Sequence, residues 1–256
     1  MIDMGKKVAE QLVDTLIEAG VRRIYAVTGD SLNEVNEAVR QNEAMKWIHV
    51  RHEETGAYAA GAEAQLTGLP GCCAGSSGPG HVHLINGLYD AHRSGAPVIA
   101  IASTIPTGEF GTEYFQETNT IKLFNDCSFY NEVATTPQQF PRMLQSALQT
   151  ATTRKGVAVI GLPGDLAKKP AAQVESSEQI YPLASSVCPA EEDLIRMAGM
   201  LNHYGRITLF CGIGCKGAHE EIIRMSEILN APVAYTFKGK MEVQYDNPYE
   251  VGMTGL

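Results

Sequence analysis

The chain has 256 residues, 44% of them hydrophobic and 19% charged, with a formal net charge of −9. That length accommodates one large domain or two smaller ones with real cores, and an acidic balance without a basic block argues against nucleic acid as a partner. No apolar run nears the roughly 18 residues of a membrane-spanning helix, the N-terminus has no signal-peptide pattern, and the cysteines at 72, 73, 127, 188, 211 and 215 form no C-x-x-C pair; a cytoplasmic protein with reduced thiols is expected.

Helix and strand patterns alternate along the chain. Val8, Leu12, Leu16 and Ile17 share one helical face, and Gly20 is placed to end that helix. Residues 23–27 read as a buried strand. Thr28-Gly29-Asp30 then turns into Ser31, a good N-cap, and Glu34 three residues on completes a capping box. Further strands are expected at 46–50, 71–74, 97–102, 130–134 and 156–161, with helices near 54–66, 80–93 and 138–153. Short apolar strands separated by helices predict an α/β fold with a doubly wound parallel sheet covered on both faces. The polar stretch 103–129 breaks this rhythm and reads as a functional loop, with Phe110, Tyr114 and Phe115 suited to a pocket wall.

Residues 168–189 carry Pro170, Pro182 and Pro189 without periodicity, which suggests a linker. The expected organisation is a first domain over 1–170, a linker over 171–189 and a second domain over 190–256. The second reads as helix 190–202, strand 206–211, a glycine turn, helix 218–229 and strand 232–236. Two strands fall short of the roughly five or six of a complete doubly wound sheet, so part of a Rossmann-like central domain is expected, cut inside its sheet.

Three features carry chemistry. Glu53 lies in Arg51-His52-Glu53-Glu54 at a strand-to-helix junction, followed by a wall of Ala and Gly from Gly56 to Ala64; this reads as an acid placed where something approaches closely, or as a carboxylate that merely favours a helix dipole. Gly78-Pro79-Gly80 follows Ser76-Ser77, and Pro79 suits a first helical turn. Gly212-Ile213-Gly214-Cys215-Lys216-Gly217 is a G-x-G-x-x-G between a strand and a helix, the context for a dinucleotide diphosphate, although no acid stands clearly about 20 residues on. His81-x-His83 with Cys72-Cys73 matches no zinc spacing, so no metal site is expected. Cys211 and Cys215 read as packing.

The chain resembles the N-terminal portion of thiamine-diphosphate-dependent enzymes of the pyruvate oxidase and acetolactate synthase group, with the stronger likeness to pyruvate oxidases that pass electrons to a quinone. The resemblance rests on Gly29-Asp30-Ser31-Leu32-Asn33, Arg51-His52-Glu53-Glu54, Ala60-Gly61-Ala62-Glu63-Ala64-Gln65, Gly78-Pro79-Gly80, His83-Leu84-Ile85-Asn86-Gly87-Leu88, Tyr114-Phe115-Gln116-Glu117-Thr118, Leu162-Pro163-Gly164-Asp165 and Tyr245-Asp246-Asn247-Pro248-Tyr249. One departure is His81, where many relatives carry a smaller amide or other polar residue.

The resemblance implies a pyrimidine-binding domain over 1–170 and the start of a flavin-binding domain from 190. It implies that Glu53 bonds the aminopyrimidine ring of thiamine diphosphate and fixes its tautomer. Ser76, Gly78, Pro79 and Gly80 would line the pyrimidine pocket. Phe115 and Gln116 would face the reacting groups and flavin, with His52 beside the acid. Gly212, Gly214, Cys215, Lys216, Gly217 and Thr254 would contact FAD. Magnesium would be bound by a domain absent from this chain, which leaves the chain inactive by itself. The implied reaction is oxidative decarboxylation of pyruvate to acetate and carbon dioxide, with electrons passed through FAD to a quinone. The implied assembly is a homodimer or homotetramer with the active site between subunits, cytoplasmic or peripheral at the inner membrane through an absent C-terminal segment. Acetolactate synthase chemistry and a non-catalytic binding or assembly module are the alternatives.

Overall fold

A computed structural model describes residues 5–172 and 187–254, which fall into two compact units. Residues 173–186, the greater part of the expected linker, lie outside the described residues. Among the described residues no helix is long and apolar enough to cross a membrane.

The first unit is built on six parallel strands: β1 (Arg23–Ala26), β2 (Lys46–His49), β3 (Gly71–Gly75), β4 (Val98–Thr104), β5 (Tyr130–Val133) and β6 (Val157–Pro163). Their order is β2-β1-β3-β4-β6-β5. Side chains alternate between the two faces of a strand, and the sequence is apolar on both. Ile24, Cys72, Ile99, Ile101, Ala158 and Ile160 face a cluster with α1 (Val8–Glu18), α2 (Asn33–Arg40) and α7 (Phe140–Arg154). Cys73, Val98, Ala100, Val157 and Val159 face the other way, against α3 (Glu53–Thr67) and α5 (Ile85–Arg93). The parallel α/β architecture is as expected. Burial pushes the Cys73 thiol up to about 12, and Cys72 and Cys73 act as small core residues.

Three local expectations are corrected. Ser31 does not cap α2: it lies inside a 3₁₀ turn, Asp30–Leu32, and α2 starts at Asn33. Its hydroxyl accepts instead from the Ser77 N–H at 2.9 Å, while Glu34 pairs with Lys7 at 2.9 Å. The single helix expected over 80–93 is two, α4 (Pro79–Val82) and α5, parted at His83 and Leu84, which keep helical dihedrals while the Leu84 N–H bonds to His81, three residues back instead of four. The Ala and Gly wall of α3 is approached by the chain itself. A Cβ on Gly71 would fall 2.1 Å from the Ala60 carbonyl oxygen, and one on Gly87 would fall 2.6 Å from both Ala57 Cβ and Tyr58 N. Small residues here bring α3 against both β3 and α5. Gly87→Ala should therefore destabilise the fold by about 1–3 kcal/mol through overpacking, read as a lower urea midpoint with an unchanged slope.

The second unit contains α9 (Glu191–His203), β7 (Leu209–Cys211), α10 (His219–Leu229), β8 (Val233–Tyr235) and β9 (Glu250–Met253). Its three strands are parallel in the order β7-β8-β9. The sequence reading found two strands. It missed β9, whose Glu250-Val251-Gly252-Met253 offers no continuous apolar run and is only partly buried. The Tyr235 hydroxyl donates to Glu250 Oε1 at 2.5 Å, tying β9 to β8. Cys211, Val233, Tyr235 and Val243 form the small core, and Cys215 packs against it, in keeping with the packing role expected of both cysteines.

Candidate active site

In an open parallel sheet, ligands sit beyond the C-terminal ends of the strands where successive connections leave in opposite directions. Here that point lies between β1 and β3, since β2 is on one side of β1 and β3 on the other. Three connections meet there. After β1 comes Gly29, after β2 comes Glu53, and after β3 comes the 76–80 turn. The first and third are in contact: a Cβ on Gly29 would stand 2.5 Å from Ser76 Cβ.

Glu53 is the first residue of α3 and is only 9% exposed. His52 is the N-cap, its Nδ1 accepting from the Glu54 N–H at 3.3 Å. Glu53 Oε2 accepts from His83 Nδ1 at 3.1 Å, and the His83 ring stacks on His52 with centroids 4.4 Å apart. Glu53 Oε1 has no hydrogen-bond partner among the described residues. It faces Gly80, where an added Cβ would stand 3.4 Å from Oε1 and 2.5 Å from Ser76 Oγ. The missing side chain at position 80 keeps open the space in front of the free oxygen. Oε1 is not sealed in but opens onto the space before Gly80, where a ligand can donate to it, and a protonated ring nitrogen of an aminopyrimidine is such a donor. The residues fit the pyrimidine end of thiamine.

The 76–80 turn is held from both sides. Gly78 has φ +69° and ψ −121°, a conformation glycine adopts and other residues resist. Pro79 takes the first position of α4, as expected. The Ser77 hydroxyl donates to Gln116 Oε1 at 3.1 Å, and Gln116 itself sits at φ +67°. A Cβ on Gly78 would come within 2.7 Å of Gln116 Cβ. The structure thus brings Ser76, Gly78, Gly80, Glu53 and Gln116 together from three parts of the chain. Phe115 is 79% exposed and does not form the pocket wall expected of it. Phe110 and Tyr114 do line a cavity of about 700 Å³ under the 105–119 loop, with Thr104, Thr118 and Glu132.

His81 departs from the site and anchors this loop. It is fully buried; its Nδ1 donates to the Ser103 carbonyl at 2.7 Å, which leaves Nε2 to accept from the Thr118 hydroxyl at 2.5 Å. Burial holds it below the usual histidine range, against the opposing effect of the Ser103 bond. The loop start is tied down separately: Thr107 N–H and Oγ donate to Asp165 at 2.9 and 2.7 Å. Burial pushes the Asp165 carboxyl up, but those two bonds and Lys169 outweigh it and hold it below its ordinary value. Sequence reasoning gave Gly29, Ser77 and His83 no part in the site and gave Ser31 only that of a helix cap. Their partners are 30 to 47 residues away, and no local pattern announces such contacts; the lone signal for His83 was its place in the matched 83–88 stretch.

In the second unit, Gly212 follows β7, Ile213–Cys215 forms a 3₁₀ turn, and α10 begins two residues after Gly217. Gly217 has φ +77°, and neither it nor Gly214 would place a Cβ within 4 Å of anything. Lys216 is exposed beside them. Thr254 follows β9, its N–H bonded to the Tyr235 carbonyl at 3.0 Å, so it shares the C-terminal edge of the sheet with the glycine turn. That turn is open enough for a nucleotide to approach the backbone closely. Two features are less suited to a diphosphate: Glu220 and Glu221 occupy the first turn of α10, and β8 ends without an acid, Thr236 capping the next turn instead.

Comparison with known proteins agrees with this geometry. Residues 6–123 match the thiamine pyrophosphate enzyme N-terminal TPP binding domain, and 194–256 match the thiamine pyrophosphate enzyme central domain. An uncharacterized 42.6 kDa protein from the isoamylase 3′ region of Pseudomonas amyloderamosa is 51% identical over 98% of this chain and 63% of its own length. Pyruvate oxidase of Lactiplantibacillus plantarum is 34% identical over 86% of this chain and 37% of its own length. Chloroplastic acetolactate synthase of Arabidopsis thaliana is 28% identical over 99% of this chain and 38% of its own length. The chain spans less than two thirds of each of these three relatives. With the N-terminal and central domains both matched, the chain belongs to the thiamine pyrophosphate enzyme family.

Proposed function

We propose that this chain forms the pyrimidine-binding domain and part of the flavin-binding domain of a pyruvate:quinone oxidoreductase, which converts pyruvate and water to acetate and carbon dioxide while reducing a quinone. The observation that carries the cofactor reading is Glu53, buried, with Oε2 on His83 and Oε1 bare before Gly80. When bound, thiamine diphosphate supplies the nucleophilic carbon and the electron sink for decarboxylation. Glu53 Oε1 accepts from the ring N–H and so holds the ring in the tautomer that can move a proton. His83 keeps the carboxylate turned toward the ring. Ser76, Gly78, Pro79 and Gly80 give the ring room, and Gln116, with Phe115 beside it, borders the place where pyruvate would lie.

FAD would be held by Gly212, Gly214, Cys215, Lys216, Gly217 and Thr254, and would take two electrons onward to the quinone. Magnesium and the diphosphate would be held by a domain outside this chain. The assembly would be a homodimer or homotetramer sharing active sites, in the cytoplasm or peripheral at the inner membrane. Identity to the pyruvate oxidase exceeds that to the Arabidopsis acetolactate synthase, which favours the oxidase over the carboligase branch. The test is to supply the full-length protein that carries this sequence with both cofactors, pyruvate and a soluble quinone. One acetate and one reduced quinone per carbon dioxide are expected. Acetolactate without quinone reduction would move the protein to the synthase branch.

A further inference from the structure

His52, Glu53 and His83 each present one ligand atom, and these atoms all lie within 4.8 Å of one another. Two imidazoles and one carboxylate are a donor set that zinc takes in three-ligand sites with an open fourth position. The geometry is close to what an ion needs. Ligands of one tetrahedral zinc stand roughly 3.4 Å apart at bond lengths near 2.1 Å, and His83 Nδ1 is already 3.1 Å from Glu53 Oε2. The His52 and His83 rings are stacked with centroids 4.4 Å apart at an interplanar angle of 27°, so one ring must turn out of the stack before both nitrogen lone pairs meet at one ion. Both side chains are nearly half exposed, 47% and 44%, so that rotation is free of packing, at the cost of the ring stack, and it leaves a face for water. The carboxylate is the fixed member, held at the start of α3.

We propose that this trio binds a zinc-type divalent cation when thiamine diphosphate is absent, and that the ion and the cofactor exclude each other. To bind, the His83 imidazole changes tautomer, and the ion takes the place of the proton now lying between Nδ1 and Glu53. The same carboxylate cannot then turn a bare, anionic oxygen to an aminopyrimidine. The site would thus act as an inhibitory one, set by the balance of free zinc and cofactor. The metal-binding half stands on the cluster alone; the exclusion half rests on the thiamine reading given above.

The test uses the 256-residue chain with Cys188→Ser to remove the exposed thiol, titrated with cobalt(II) as a spectroscopic stand-in and with zinc by calorimetry. Intense visible cobalt absorption of a four-coordinate site is expected. His83→Gln and, separately, His52→Asn should each weaken zinc binding at least tenfold, while His203→Gln should not. Asn preserves an N-cap for α3, and far-UV circular dichroism checks that each variant is folded. Equal zinc affinity in wild type, His83→Gln and His52→Asn, or no cobalt spectrum at all, would overturn the site and leave a plain histidine–carboxylate bond. Thiamine diphosphate with magnesium, added to the full-length protein, should raise the apparent zinc dissociation constant. Zinc binding that both histidine variants weaken, but that saturating thiamine diphosphate does not disturb, would overturn the exclusion. Failure of thiamine diphosphate to bind at all would sink the thiamine reading and leave the metal site standing.

Discussion

Glu53→Gln in the full-length enzyme should lower turnover by about 10²–10⁴-fold, the range for losing a positioned acid–base group, while the fold stays intact. The amide keeps the shape of the acid and can still bond His83 Nδ1, which lies 3.1 Å away. What it loses is the charge behind Oε1. A charge-assisted bond contributes about 1.5–3 kcal/mol, so thiamine diphosphate affinity should fall by about 10–150-fold as well. The competing view is that Glu53 serves only as an acid at a helix N-terminus. That view expects a stability loss of about 0.3–1 kcal/mol and unaltered cofactor binding. Even that loss should be blunted, because Glu54 remains in the same first turn. Measuring both quantities on one variant separates the two. Unchanged thiamine affinity and turnover with a lowered urea midpoint would return Glu53 to a purely structural role.

The sequence made much of this legible, for identifiable reasons. A sheet buried on both faces needs apolar residues at every position, and 71–74, 97–102 and 156–161 show it, so β3, β4 and β6 stand out. The strand-to-helix position of Glu53 was equally plain, because it stands between the strand pattern at 46–50 and the Ala- and Gly-rich helical stretch from Gly56 to Ala64. Contacts that close over long sequence distances were not legible. Ser31 looked like a cap because Glu34 follows at the right spacing, yet tertiary structure gave its hydroxyl to Ser77 and gave Glu34 to Lys7. Nothing near His83 says that it meets Glu53, and nothing near His81 says that it turns to Ser103 and Thr118 instead. β9 escaped because a strand at the rim of a small sheet need not be apolar throughout. The helix at 80–93 was read as continuous because His83 and Leu84 keep helical dihedrals across the break, which consists only of a tightened hydrogen bond from Leu84 to His81.

That turn supports the second large effect. Gly78→Ala should cost about 3 kcal/mol, from two sources that share one origin. The first is backbone strain: φ +69° with ψ −121° is a region that side chains avoid at a cost of about 1–3 kcal/mol. The second is overlap, since the new Cβ would sit 2.7 Å from Gln116 Cβ and 3.0 Å from its carbonyl oxygen, an overpacking cost of about 1–3 kcal/mol. The two are not additive, because movement of Gln116 relieves the second. Gln116 is the easier partner to move. It is exposed, it is itself strained at φ +67°, and near it the loop is secured by the single Ser77 bond, with further anchors at Thr107 and Thr118. The turn, in contrast, is closed on itself by the His81 N–H bond to the Ser76 carbonyl at 2.8 Å and tied to the Asp30–Leu32 turn by the Ser31–Ser77 bond. The substitution should therefore peel the loop from the turn around residues 114–117. Amide exchange should speed up there and stay slow in β3 and β4. Gly111→Ala is the control: φ is +80° but nothing lies within 4 Å of its Cβ, so strain acts alone and exchange at 114–117 should be little changed. Equal exchange at 114–117 in wild type and Gly78→Ala would mean that the turn does not hold Gln116 over the Glu53 site.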